Sequence, residues 1–480
     1  MVAAVALWAF VTLFLVLPAA ARLRSSSLYR GDFPAFGIAV DGSGRVHLSW
    51  ISLGLDNALH HAWIENGKKH DEIVDASSGC CGEPSIAVDS MGHPHIAYQA
   101  WRITGRSLLY AHFDGTAWQL EEVGPGGSGT AIAIDANDRP HIVQVLYDAH
   151  ASDQFQYLHR DDDGIWQRET PPGIHALGLG TSSFALDSQG NAHVVLMDPP
   201  TRHPFYATNA GGEWSATELA SSAAAGESLA LDSLGRPHVA LALSEAGTVR
   251  YAHFDGMQWV SEDLYDPNQV APPSIQIFPE GVALALDPAD RPQLIFVLNL
   301  AASRGNLDVS LHAFHDGFEW RAILLQRSKA NSNVGLVSGA DGVMHGLISV
   351  NSRRAPLAKY VRITLHDLAG EWTSLGSTEK AGKSTVTAVL HVRNEGNDTS
   401  PPTAIALYLS DDATLDAGDT PVRLKKTVGS IRPGATKDVK LSFKTAVALS
   451  GKFLIAVLDP LHKRAEADRS DDTIAGALPQ

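Results

Sequence analysis

Residues 85–99 read Ser-Ile-Ala-Val-Asp-Ser-Met-Gly-His-Pro-His-Ile-Ala-Tyr-Gln, and the fold follows from how often this stretch recurs. A short apolar run, Ile86 to Val88, ends at Asp89, turns through Ser-Met-Gly and returns as a second run from His95. The turn has a mechanism, since glycine accepts a positive φ and Pro94 sets the entry to the next strand. Related stretches occupy residues 37–50, 131–145, 183–197, 228–243, 283–298 and, in degenerate form, 337–350. The equivalent positions His47, His95, His141, His193, His238, Gln293 and His345 are spaced by 48, 46, 52, 45, 55 and 52 residues. A period near 50 is too long for one helix pair. A third strand follows in the second copy, residues 108–114, then a turn at Gly115 and a fourth strand from Trp118. Residues 249–264 repeat that pattern around Trp259, and Trp166, Trp214, Trp320 and Trp372 hold the same slot. Four antiparallel strands repeated seven times predict an all-β fold, a seven-bladed β-propeller over residues 35–377. The one stretch left over, Ser25 to Arg30, is placed as an added outer strand.

The I-A-x-D-x-x-G-x-P-H half of the repeat resembles the NHL-type and related repeats of secreted bacterial β-propellers. The D-G-x-x-W half resembles the sialidase Asp-box, S-x-D-x-G-x-x-W, with a spacing one residue short. The resemblance implies the fold and leaves activity open, because propellers host hydrolases, lyases, lectins and scaffolds alike. After Trp372 the pattern changes to alternating strands bounded by turn residues, which predicts an immunoglobulin-like β-sandwich over residues 384–475. Its order resembles the bacterial CARDB-type domain: Val392-Arg-Asn-Glu-Gly396, then Tyr408-Leu-Ser-Asp-Asp412, a Pro433-Gly434 turn, and a closing Val457-Leu-Asp459 with Glu466, Asp468 and Asp471-Asp472. The last pair departs from the family's usual Asn-Asn. This resemblance implies an adhesion or extracellular spacer role.

Composition narrows the function. The chain has 480 residues, 44% hydrophobic and 19% charged, which suits two or three globular domains and excludes overall disorder. With 42 Gly, 25 Pro and five Met it is rich in turn formers and unlike a helix bundle. The two cysteines are adjacent, so neither a disulfide-stapled scaffold nor a cysteine zinc site can be built from them. Residues 1–377 hold 23 Lys/Arg against 40 Asp/Glu, and residues 378–480 hold 14 against 13. So acidic a large domain disfavours nucleic acid as a partner, since phosphate neutralisation needs basic surface. Residues 1–21 read as a signal peptide or N-terminal anchor: Val2 to Leu17 is apolar, Ala19 and Ala21 form a small-x-small cleavage pattern, and Arg22 and Arg24 follow. The expected address is secreted, periplasmic or cell-surface, with membrane contact only through that segment if it stays uncleaved.

Six in-register histidines invite a metal reading, yet a residue that recurs once per blade serves the blade. His47, His95, His141, His193 and His238 are expected to hydrogen-bond toward the turns bearing Asp41, Asp89, Asp135, Asp187 and Asp232, and Gln293 keeps a hydrogen-bonding amide in the same slot. The periodic tryptophans are expected to anchor neighbouring blades. Trp63 and Trp101 fall outside that register, where an aromatic can stack on a sugar. Cys80-Cys81, flanked by Gly79 and Gly82, is expected to form a vicinal disulfide, with free thiols and an intermolecular bridge as the alternatives. Asp161-Asp162-Asp163 and residues 415–419 are calcium candidates by residue type, but lack the EF-hand spacing; no other cofactor is expected.

In propellers the loops joining second and third strands share one face with the interblade connections. Those loops place Arg102, Arg106, Arg202, Arg304, Arg353 and Arg354 there, with Trp101 as a stacking platform. An arginine fork suits carboxylate or sulfate. The expectation is an exported, non-catalytic binding or adhesion protein whose partner is a glycan, acidic glycans above all, or a cell-surface protein. The rival is a sialidase-like hydrolase or polysaccharide lyase acting on acidic glycans. A carboxylate pair or a His/Tyr pair at the channel mouth, for instance around Tyr147, His150 and His175, separates the two.

Overall fold

Each copy of the repeat folds as a four-stranded antiparallel meander. The second is typical: Ser85–Val88, Pro94–Arg102, Gly105–Phe113 and Trp118–Pro125 pair in chain order. The computed structural model describes residues 24–30, 36–52, 57–65, 67–76, 84–102, 105–146, 154–177, 183–267, 275–302, 305–328, 333–351, 356–380, 383–462 and 465–479. Among them are seven four-stranded sheets, whose first strands are Phe36–Val40, Ser85–Val88, Ser128–Ile134, Phe184–Leu186, Ala224–Leu231, Ile275–Leu286 and Val334–Ser338. Each first strand packs against the next, and Val334–Ser338 packs back on Phe36–Val40, so the sheets form a closed cycle. The second strands are the most deeply buried, as Val239, Leu241 and Leu243 on Pro237–Leu243 show.

The Asp turn explains why the motif repeats. In six sheets the Asp Oδ1 accepts the backbone N–H groups two and four residues on, at 2.7–3.0 Å, which closes the turn. The residue three after the Asp has positive φ, +81° at Gly92. Two copies carry Asp there instead, Asp138 and Asp290, each at φ 61°. Their carboxylates accept from the backbone and hydroxyl of Ser90 and Ser233 in the preceding sheet, at 2.5–2.9 Å. Backbone strain at those positions is thus coupled to a link between sheets.

In five of the sheets the repeated histidine lies between the repeat aspartate and a tyrosine, or His61 in the tyrosine's place. His95 Nδ1 lies 2.5 Å from Tyr110 Oη, and His141–Tyr157, His193–Tyr206, His238–Tyr251 and His345–Tyr360 repeat the contact. The Nε2 atoms of His47, His95, His141, His193 and His238 face the Oδ2 of the repeat Asp at 3.4–3.6 Å. A carboxylate only accepts, so Nε2 carries the proton and Nδ1 accepts from the phenol O–H. The sixth sheet exchanges the partners, with His312 Nε2 donating to Gln293 Oε1 at 2.9 Å. The first puts His61 in the tyrosine's place, 3.0 Å from His47, and continues to Glu72 at 3.0 Å.

The closing strand of the seventh sheet differs from expectation. Its fourth strand is Arg24–Arg30, paired with Pro356–Ile363, whereas Leu368–Lys380, with Trp372, pairs with Lys383–Asn394. Residues 368–377 therefore leave the expected propeller span of 35–377, and the sandwich begins ahead of residue 384. The physical reason is ring closure: an N-terminal strand beside C-terminal ones ties the cycle through main-chain hydrogen bonds. Asp367-Leu-Ala-Gly-Glu-Trp372 only mimics the D-G-x-x-W spacing.

The chain divides into two compact units, one built on Arg24–Ala313 and Leu324–Arg362, the other on Phe314–Ile323 and Ile363–Gln480. The sandwich in the second unit has one sheet of Leu368–Lys380, Lys383–Asn394 and Thr436–Thr445. The other orders Thr420–Pro421, Thr403–Ser410, Phe453–Leu458 and Thr473–Ala477, with Lys426–Val428 also pairing Thr403–Ser410. Alternate residues of the two sheets, among them Leu390, Val392, Ile405, Leu407, Leu454 and Leu458, fill the core between them.

Burial lowers His47, His95, His141 and His345 to about 4. An unfolded imidazole takes up its proton near pH 6.5, so the folded state is favoured above that value and loses stability as pH falls from there toward 4. Calorimetry is expected to show the propeller transition several degrees lower at about pH 5 than at about pH 7.5. His95→Gln, which copies Gln293, should flatten that slope.

Candidate functional site

At the end of the propeller opposite the Asp turns, the second-to-third hairpin of the second sheet brings together three of the residues picked from sequence. Trp101 pairs in register with Arg106, and Arg102 with Gly105. The Trp101 side chain is 51% exposed at the strand end. The Arg106 guanidinium stacks on its ring at 5.5 Å from the centroid, while Nη1 donates to Gly127 O. That carbonyl comes so close because Gly126 and Gly127 lack side chains: a Cβ on Gly126 would lie 2.9 Å from Arg106 Cγ, and one on Gly127 1.8 Å from Val145 O. Arg102 Nη2 donates to Asp75 Oδ2 at 3.2 Å, and Tyr98 Oη donates to the same oxygen at 2.8 Å. Burial, then the Asp75 charge, pushes the Tyr98 phenol far up, so it stays a donor. Gln99 Nε2 donates to Thr130 Oγ1 at 2.8 Å beneath the hairpin, linking the second sheet to the third.

The arrangement is a braced, half-exposed indole beside a carboxylate–guanidinium pair. The buried Asp75 cancels the Arg102 charge and orients its guanidinium, whose N–H donors suit sugar hydroxyls. Asp75 and Tyr98 were not legible as site residues, because Asp75 ends the outer strand of the first sheet and meets Arg102 only through packing.

The other expected residues lie apart from this group or outside the described residues. Arg202 is an exposed turn residue of the fourth sheet, with φ 59°. Arg304, Arg353, Arg354, Tyr147, His150, Cys80 and Cys81 fall outside the described residues. His175 is exposed and forms an isolated bridge with Gln154. Trp63 is stacked between His61 and His70, a packing position. A carboxylate pair exists in the sixth sheet. Glu280 occupies a bulge, Asp308 accepts from Asn299 Nδ2 at 2.7 Å, and burial pushes both carboxyls up, Glu280 further through the Asp308 charge. Asp308 is only 3% exposed. Among the described residues no group of three His, Cys, Asp or Glu is arranged to hold a metal ion.

The periodic tryptophans have a partner that sequence reading missed. Trp118 Nε1 donates to Glu72 at 3.0 Å, Trp166 to Glu121 at 3.0 Å and Trp214 to Glu169 at 3.1 Å. Each glutamate sits on the outer strand of the preceding sheet, so every pair spans two sheets. Hydrogen bonds from His61 and Trp118 hold the Glu72 carboxyl below its ordinary range against the effect of burial.

These features define an all-β propeller followed by an immunoglobulin-like sandwich. Residues 367–475 match the CARDB family model. A search of curated proteins finds no match. Among solved structures, a protein of unknown function from Dyadobacter fermentans is 11% identical, with a TM-score of 0.40 and coverage of 59% of this chain and 96% of its own. The fucose-recognising lectin of Aleuria aurantia, a six-bladed β-propeller, is 12% identical at a TM-score of 0.40, covering 63% and 97%. An ulvan lyase of polysaccharide lyase family PL25 is 11% identical at a TM-score of 0.33, covering 76% and 93%.

Trp118→Phe removes the indole donor and keeps most of the ring. It is expected to cost about 1 kcal/mol in urea unfolding, the worth of one partly exposed hydrogen bond. Trp118→Ala should cost about 3 kcal/mol by also emptying the contact between sheets.

Proposed function

We propose that the protein is an exported, non-catalytic glycan-binding protein. The propeller presents Trp101 with Arg102, held by the buried Asp75, to a sugar, and the sandwich serves as spacer or adhesion module. The observation behind this reading is Trp101 itself, a large apolar ring left half exposed while Arg106 fixes its orientation. Holding an indole in water lacks a folding benefit, whereas the apolar face of a pyranose stacks on such a ring. Export is supported by the apolar run at residues 2–17 and the small residues after it. The CARDB match supports the spacer or adhesion role.

The ligand class within glycans follows from charge. Arg102 is neutralised by Asp75, and Arg106 is committed to Trp101 and Gly127. This hairpin therefore favours a neutral, hydroxyl-rich glycan over a uronate or sulfate chain. The enzyme alternative draws on the Glu280–Asp308 pair, and the burial of Asp308 counts against acid–base work there, since a catalytic carboxyl must reach its substrate.

A glycan array followed by calorimetric titration tests the reading. Neutral oligosaccharides are expected to bind at least as tightly as uronate ones, and Trp101→Ala should weaken binding about fivefold to tenfold. Arg102→Ala should weaken it as well. Unchanged affinity in both variants, or release of new reducing or unsaturated ends from the glycan, would overturn it.

A further inference from the structure

The sandwich contains a group that its spacer role does not require. Glu466 and Asp472, in the segment that closes the domain, are only 1% and 2% exposed. Their side chains face each other. Both Asp472 oxygens and Glu466 Oε2 are buried without a hydrogen-bond donor, and His366 Nε2 lies 3.1 Å from the remaining Glu466 Oε1. Two ionised carboxylates cannot rest against one another in a dry interior, because each is only an acceptor and both are charged. Something positive must lie between them. A proton shared between the two carboxyls meets that need without any further group.

We infer that Glu466 and Asp472 form a proton-held carboxyl pair that clamps the last strand of the sandwich and releases it when the solution turns alkaline. The clamp sits where the chain closes on itself. Ala467 N donates to His366 O at 3.0 Å and Asp468 N to Asp367 Oδ1 at 2.9 Å, tying the closing segment to the residues just before the first sandwich strand. Leu458 N donates to Asp472 O at 2.9 Å, and the edge strand Thr473–Ala477 begins at the next residue. That strand is further held by Trp372 Nε1 on Ile474 O at 3.2 Å.

Apart from His366, the charged neighbours of the pair and of Asp471 are acids. Asp367 precedes the first strand, Glu395 follows the second, Asp459 follows Phe453–Leu458, and Asp468 and Asp471 belong to the closing segment itself. Among the described residues, Arg321 and Arg469 each place Nε 2.7 Å from Asp316 and turn Nη2 to Glu319, at 2.7 and 3.5 Å. Burial first, then these neighbouring charges, pushes Glu466 and Asp472 well above the carboxylate range, and lifts Asp471 to about 7. Folded values above unfolded ones mean that the pair's contribution is full in acid and is lost as pH rises.

Hydrogen exchange on the full-length protein, with labelling times corrected for base catalysis, tests this. Between about pH 6 and about pH 9 the amides of Thr473–Ala477 are expected to lose about tenfold or more of their protection relative to Thr403–Ser410. Asp472→Asn and Glu466→Gln each supply an amide donor to the remaining carboxylate and should hold protection flat across that range. If one variant fails to fold, the other decides. Constant protection in the unmodified chain, or the same loss in a folded variant, would overturn the clamp. Restoration of protection at about pH 9 by about 1 mM calcium would overturn it too, by showing a cation in the proton's place.

Discussion

Every sheet of the propeller needs a way to bury polar atoms beside its strands, and the imidazole between an aspartate turn and a tyrosine supplies it. The aspartate satisfies the backbone of its own turn, the phenol satisfies Nδ1 of the histidine, and the histidine turns Nε2 toward the aspartate, within hydrogen-bond reach at His47 and His193. Because the imidazole must stay neutral to accept from tyrosine, the relay fixes one tautomer as well as one geometry. The two departures keep the same arithmetic of donors and acceptors. Gln293 and His312 exchange roles, and His61 replaces tyrosine while passing its second nitrogen to Glu72. A hydrogen-bond chain, more than any single residue type, is what the repeat preserves.

With one end of each sheet fixed by its turn, the opposite end is free to vary. The second sheet uses that freedom to set Trp101 at the rim and to draw Asp75 from the neighbouring sheet under Arg102. Its rigidity comes from both sides, through the Gly127 carbonyl on one and Asp75 on the other. The interblade tryptophan–glutamate contacts stiffen the outer rim in the same manner, each using a charged acceptor to hold an otherwise apolar anchor.

The two units respond to protons in opposite senses. Buried neutral histidines make the propeller prefer neutral solution over acid, while buried carboxyls make the sandwich prefer acid over alkali. Both follow from one rule, that burial disfavours the charged form, applied to a base in one unit and to acids in the other. Their overlap leaves the mildly acid to neutral range as the one in which both are held.

Local pattern was enough for the strands, the turns and the architecture: alternating apolar residues, an aspartate, a glycine and a proline at set offsets act within a few residues of each other. The same pattern misassigned Trp372, since D-L-A-G-E-W has nearly the right spacing yet pairs with Lys383–Asn394. The outer strand expected at Ser25 to Arg30 is present, but that it closes the seventh sheet by pairing residues 24–30 with 356–363 is a partnership on which periodicity carries no information. Sequence placed Arg102 and Arg106 on one hairpin but not what pairs with them, because Asp75 and Arg102 meet only when two sheets pack. Glu466 and Asp472 stood in the sequence only as acids of the closing motif, and their burial shows only in the folded closing segment. Burial and partnership are decided by tertiary packing, and it is those two quantities that set whether a charged side chain is a free ligand-binding group, a brace or a proton store.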